Sequence, residues 1–173
     1  MIEIKLKWDI NMYFKSHPII VYDNEKVVDI FKKIIPSNQY LDNKIFFELY
    51  DIVDGESPEN LSYRLYKSSE YHWILLTINN IVDINKNWPM SQRDFNVYVS
   101  EKYDDPYQIH HYIDNDGDII DKSEWELFDE KTRGTNSIEN YSYEESINNN
   151  KVNIKILNPN YIMEFVEHFK SLL

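Results

Sequence analysis

The chain has 173 residues, with 18 basic and 30 acidic side chains and a formal charge of −12. It contains no Cys, which excludes a disulfide scaffold, a Cys-ligated zinc site and a thiol nucleophile. The acidic balance argues against nucleic acid, whose affinity rests on Lys and Arg neutralising phosphates, and no apolar run approaches the roughly 20 residues that a bilayer helix needs.

Residues Ile2, Ile4, Leu6 and Trp8 alternate with polar neighbours, the pattern of a half-buried strand rather than of a signal peptide. A soluble chain, intracellular at birth, is therefore expected. Asn11 to Tyr22 holds Pro18 and reads as extended linker. Asp23 and Asn24 offer N-caps for a helix over Glu25 to Ile35, with Val27, Phe31 and Ile34 at helical spacing and Pro36 as its stop. Ile45 to Val53 is apolar and β-prone, and predicts a strand.

The next stretch is the best punctuated. Asp54-Gly55-Glu56 is a tight turn, and Ser57-Pro58-Glu59 starts a helix with a capping hydroxyl, Pro in the first turn and an acid beside it. A second short helix, Glu70 to Ile78, carries Trp73, for which core packing is expected, and Asn79-Asn80 closes it. A loop leads to Trp88-Pro89, and Ser91 with Asp94 opens a helix bearing Phe95, Tyr98 and Val99. Beyond it, Gln108 to Ile113 and Asp118 to Asp121 flank the hairpin signal Asn115-Asp116-Gly117. Glu130 to Asn140 reads as polar loop, Tyr141 to Asn150 as a polar helix and Lys151 to Leu157 as a strand. A terminal helix over Asn160 to Leu172 places Ile162, Phe165, Val166 and Phe169 on one stripe.

Sites of chemistry are hard to assemble from these residues. Around Gly117 a calcium loop would need carboxylates where Tyr112 and Ser123 stand, so the hairpin is the better reading. His110 and His111 are adjacent, and strand neighbours point to opposite faces, which keeps them from sharing a metal. There is no His-Glu-x-x-His pair, no nucleophile elbow and no Gly-rich phosphate loop. Acid pairs such as Asp104-Asp105 and Glu144-Glu145 fit a solvated surface. Trp88, in a loop before Pro89, is a candidate exposed aromatic of the kind enriched at protein interfaces.

Two resemblances follow from particular residues. The run Tyr50 to Tyr66 with Asp54-Gly55-Glu56, then Tyr71, Trp73 and Leu76, then Asn79-Asn80-Ile81, resembles a LysM module, a strand, turn, two helices and return strand. Here the turn reads Asp54-Gly55-Glu56-Ser57-Pro58, and the local return strand is replaced by Trp88-Pro89-Met90-Ser91 running into a helix. The combination Asp54-Gly55-Glu56, Pro58-Glu59, Leu65-Tyr66, Tyr71, Trp73, Leu75-Leu76, Asn79, Trp88, Ser91 and Lys102-Tyr103 resembles a small baseplate wedge subunit of contractile phage tails, the gene-product-fifty-three type. Tyr143, Glu144, Glu145 and Asn149 continue the likeness.

The expected fold is α+β: a LysM-like βααβ-type module over residues 46–103, an N-terminal arm over 1–45 with one helix, and a C-terminal extension over 104–173 with a hairpin, a strand and a terminal amphipathic helix. The resemblance implies a structural subunit of the virion tail baseplate, assembled in the host cytoplasm. It would clamp or link larger wedge proteins near the hub and the sheath-initiator subunit in a hetero-oligomer. It implies no catalytic residue, cofactor, metal, nucleic acid or membrane. The expected interface residues are Asp54, Glu56, Trp88, Pro89, Phe165 and Phe169. The other function carried by a LysM-like module is binding of peptidoglycan or another carbohydrate.

Overall fold

The computed structural model describes residues 17–29 and 45–172. The strand expected over Ile2 to Trp8 and the helix turns expected from residue 30 to Ile35 lie outside them. Strands β1 (Ile19–Tyr22) and β2 (Glu25–Val28) pair antiparallel with Tyr22 opposite Glu25. The two loop residues, Asp23 and Asn24, have φ of 50° and 63°. Two successive positive-φ residues give the turn whose twist suits a hairpin. Glu25 to Val28 is therefore a strand and not the start of a helix, and Ile19 to Tyr22 is its partner rather than a linker. Asp-Asn fits an N-cap and a hairpin turn alike. The β-branched residues on both sides favour pairing.

Then follow β3 (Phe47–Asp51), α1 (Pro58–Tyr66), α2 (His72–Ile78), α3 (Ile84–Asn87) and α4 (Gln92–Lys102). The chain continues with β4 (Ile109–Ile113), β5 (Ile119–Ile120), α5 (Lys122–Trp125), α6 (Glu130–Thr135), β6 (Ser137–Glu139), α7 (Asn140–Asn149), β7 (Asn153–Leu157) and α8 (Ile162–Ser171). The fold is mixed α+β. It divides into two compact units: one of the segments up to Asp51, Glu56–Ile84 and from Ile154 onward, the other of Ile52–Gly55 and Asn85–Asn153. The span 46–103 is thus shared between the two.

Strand β3 pairs with β7, a strand about a hundred residues later in the chain. Asn158 N–H donates to the Phe46 carbonyl at 2.8 Å, and Ile52 N–H to the Val152 carbonyl at 2.9 Å. Residue numbers run in opposite senses between these bonds, so the pair is antiparallel. Helix α1 begins as its residues predict, with the Ser57 hydroxyl accepting from Asn60 N–H and Pro58 in the first turn, and it stops at Lys67 in the left-handed region. A 3₁₀ turn over Ser69–Tyr71 leads into α2, and Asn80 beyond its end has φ 54°. Among the described residues of the first unit, Leu61, Ile74, Leu75, Leu157 and Phe165 are fully enclosed apolar side chains.

Asn79 does more than end α2. Its amide nitrogen donates to the Leu75 and Lys155 carbonyls, and its amide oxygen accepts from Lys155 N–H, each at 2.8 Å. One side chain thereby joins the helix end to β7. Asn79→Ala would leave those groups of Lys155 without their partner. We expect a loss of about 2 kcal/mol, measured as a drop in the urea midpoint at constant m-value.

In the second unit α4 is capped twice. The Ser91 hydroxyl accepts from Asp94 N–H at 3.1 Å, and an Asp54 carboxylate oxygen accepts from Gln92 N–H at 2.7 Å. Phe95 and Val99 point inward, and the Phe95 ring meets Tyr141 of α7 at 5.3 Å. A three-stranded sheet in this unit has the order β5-β4-β6. The β4–β5 turn closes through Asp114 N–H to the Asp118 carbonyl at 2.9 Å, with Gly117 at φ 92°. The calcium-loop likeness is therefore a hairpin.

The polar loop expected over Glu130 to Asn140 is instead α6 followed by β6. Asp129 caps α6 by accepting from Thr132 N–H at 2.9 Å, and β6 pairs with β4. A three-residue strand carries no periodicity of its own. Only its partner identifies it.

Candidate protein interface

Among the described residues no group of three or more His, Asp or Glu side chains is placed to hold a metal ion, and no helix is long and apolar enough to cross a membrane. The adjacent histidines differ from expectation. Pairing of β4 with β6 is irregular between Ile109 and His111, and this bulge brings the two Nδ1 atoms to 2.8 Å. His110 stacks on Tyr143 at 4.0 Å. Burial, then the charge of His110, holds His111 below the usual imidazole pKa.

Among the described residues the most enclosed carboxylate is Glu144 on α7. Lys102 Nζ and the Tyr103 hydroxyl donate to one of its oxygens, each at 2.7 Å, and the Tyr98 hydroxyl donates to the other at 3.2 Å. Lys102 also donates to the Tyr98 oxygen at 2.9 Å. Burial alone would push the Glu144 carboxyl up; the donors outweigh it and leave the pKa below the ordinary carboxylate range. The hydrogen bond to Glu144 raises Lys102 in turn. A carboxylate held by three donors is a structural tie between α4 and α7, with little basicity left for proton abstraction.

The residues expected at an interface divide sharply. Asp54 is exposed, while its carboxylate already caps α4. Glu56 is half-buried, paired with Arg64 at 2.8 Å and accepting from the Tyr50 hydroxyl at 2.9 Å. Pro89 is half-buried. Trp88 is only 6% exposed, and Phe165 and Phe169 are enclosed, their rings 6.2 and 4.8 Å from that of Trp73. For these three rings the expectation of a free surface is corrected. The stripe on α8 covers the chain's own core, where Trp73 needs aromatic neighbours.

The exposed apolar side chains lie elsewhere. Ile19, Ile20, Val21, Tyr22, Val27 and Val28 are all exposed on the β1–β2 hairpin. Both faces of a two-stranded ribbon carry apolar residues there, which the run Ile19-Ile20-Val21-Tyr22 already announces. In the second unit Ile119 and Leu127 stand out, 75% and 84% exposed.

The sequence model of one family, described as base plate wedge protein 53, matches residues 11–133. That is well over half of the chain. The chain belongs to the base plate wedge protein 53 family. A baseplate wedge protein is a structural part of a phage tail, located in the virion tail baseplate and assembled with other baseplate proteins. No curated protein matches the chain.

Proposed function

We propose that this subunit clamps or links larger wedge proteins close to the hub and the sheath initiator, joining them in the host cytoplasm as part of a hetero-oligomer. The observation that carries the reading is the family match over residues 11–133. Within the chain, β3, α1, α2 and β7 are proposed to form the LysM-like βααβ element. Its second strand then comes from beyond the second unit and is seated by Asn79 rather than by a local turn. Of the expected interface residues, Asp54, Glu56 and Pro89 are the ones a partner can reach without disturbing the core.

Co-expression with the other wedge proteins, followed by size-exclusion chromatography, tests the reading. Co-elution with at least one is expected, and monomeric elution beside every one of them would overturn it. The same βααβ arrangement is what favours a peptidoglycan-binding reading. Retention on purified peptidoglycan, lost on Asp54→Ala or Asn80→Ala, would support that alternative.

A further inference from the structure

Consecutive residues of a regular strand point to opposite faces, so His110 and His111 of β4 would ordinarily not meet. The bulge between Ile109 and His111 brings them together. Their Nδ1 atoms are 2.8 Å apart and their ring centres 5.0 Å apart, so the two nitrogens point at each other. Lone pairs that chelate a metal converge on a third point instead; nitrogens aimed head-on at this distance make a hydrogen bond. His110 is exposed and His111 half-buried. His110 lies flat on the Tyr143 ring of α7, with 4.0 Å between centres and 13° between planes, and His111 meets the same ring edge-on at 5.6 Å.

Such a bond holds one proton between its two nitrogens. An imidazole nitrogen donates only when it carries hydrogen and accepts only when it does not. A neutral pair meets this condition with one ring as the Nδ1–H tautomer and the other as the Nε2–H tautomer. One added proton, placed on the free Nε2 of the donor ring, keeps the bond and makes it charge-assisted. A second proton has only the accepting Nδ1 to bind. It turns the acceptor into a second donor and sets two cations face to face.

Among the described residues no ion pair offsets that second charge. Strand β4 packs against β5, β6, α5 and α7. Strand β5 brings no titratable side chain and β6 brings Glu139, while α5 brings Lys122 and Glu124. Helix α7 brings Tyr143, Glu144 and Glu145, and Tyr103 approaches His110 edge-on at 6.5 Å. Glu144 is already held by Lys102, Tyr98 and Tyr103.

We propose that His110 and His111 form a proton-operated latch, closed over Tyr143 while at most one imidazole is charged and open, with His110 swung off the Tyr143 ring, once both are. Opening uncovers one face of Tyr143. The flanking backbone bonds, Asn140 N–H to the Gln108 carbonyl at 3.0 Å and Tyr141 N–H to the Pro106 carbonyl at 2.8 Å, involve no titrating group and stay in place. Coupled imidazoles take up their protons in separate steps, and burial together with the charge of His110 delays the second. In the unfolded chain both rings titrate near about 6.5. The unfolded state therefore binds more protons below that value, so the latch stabilises the fold above it and the contribution is lost as the pH falls through the second step.

Nuclear magnetic resonance of the full chain tests this through the ring protons of both histidines, followed from about pH 8 to about pH 4.5, where Glu144 is still ionised. Two steps separated by about one pH unit or more are expected. The Overhauser contact between His110 and Tyr143 should persist through the first step and disappear in the second, while near-ultraviolet circular dichroism shows the fold retained. His111→Asn keeps an amide oxygen to accept from His110 and cannot be charged. In that variant His110 should titrate once, near about 6.5, and keep its contact with Tyr143 throughout. A single shared step in the wild-type chain, or a Tyr143 contact that survives the second step, would overturn the latch without any variant. So would a folded His111→Asn chain that loses the contact at the wild-type pH.

Discussion

Phe165→Ala is expected to lower the stability of the isolated chain by about 3–5 kcal/mol. The ring has no solvent exposure and lies 6.2 Å from Trp73, with Phe169 at 4.8 Å from the same indole. Truncation removes the transfer free energy of the ring and leaves a cavity that packed aromatic neighbours refill only in part. A single domain has only about 5–15 kcal/mol to lose, so the effect reaches folding itself. Urea denaturation with an unchanged m-value measures it. Met163, half-exposed on the same helix, supplies the contrast: Met163→Ser should change stability by less than about 0.5 kcal/mol. Were the α8 stripe reserved for a partner, Phe165→Ala would spare the isolated chain and damage only assembly.

Glu144→Gln is expected to cost about 2–3 kcal/mol at neutral pH, for the following reason. Breaking an enclosed ion pair by removing one partner costs about 3–5 kcal/mol when both groups are fully buried. Lys102 is 43% exposed and can turn to water, which places the effect below that range. The pH dependence follows from the direction of the shift. The folded-state pKa of Glu144 lies below its ordinary value, so the unfolded chain takes up the proton first as the solution is acidified. The stabilisation is complete above the ordinary Glu value of about 4.3 and is lost as the pH falls through the folded value. The difference between wild type and variant should stay constant from about pH 6 to 8 and close below about pH 4. Urea midpoints across that range measure it, and a gap that persisted in acid would mean that ionisation of Glu144 is not what holds α4 to α7.

Much of the local structure is legible in the sequence because its causes are local. Ser57-Pro58-Glu59 starts α1 through a cap, a fixed φ and a favourable charge, all within one turn. Ser91 and Asp94 do the same for α4, and Asn115-Asp116-Gly117 makes a hairpin wherever β-prone residues flank it. The misreadings share a different cause. Asp23-Asn24 suits either a helix cap or a hairpin turn, and only pairing of Ile19-Ile20-Val21 with Val27 and Val28 chooses between them. Ser137 to Glu139 becomes a strand because β4 is there to receive it. The bulge that turns His110 towards His111 is likewise set by β6.

The interface residues show the same division. A stripe at Ile162, Phe165, Val166 and Phe169 establishes that one face of a helix is covered. It carries no record of whether the cover is the chain's own Trp73 or another subunit. Trp88 before a proline has the local signature of a surface aromatic and is enclosed. Ile119 and Leu127, in the most acidic stretch of the chain, are exposed.

Helix starts such as Ser57-Pro58-Glu59 and a turn such as Asn115-Asp116-Gly117 can be read along the chain, because each rests on residues within a few positions of one another. The charge of −12 is equally plain there, yet its meaning is not. The pairing of β3 with β7, the enclosure of the α8 stripe and the tie at Glu144 join residues tens to a hundred positions apart. Such contacts are selected by packing among all the alternatives that a periodic pattern allows, and no local pattern encodes that choice.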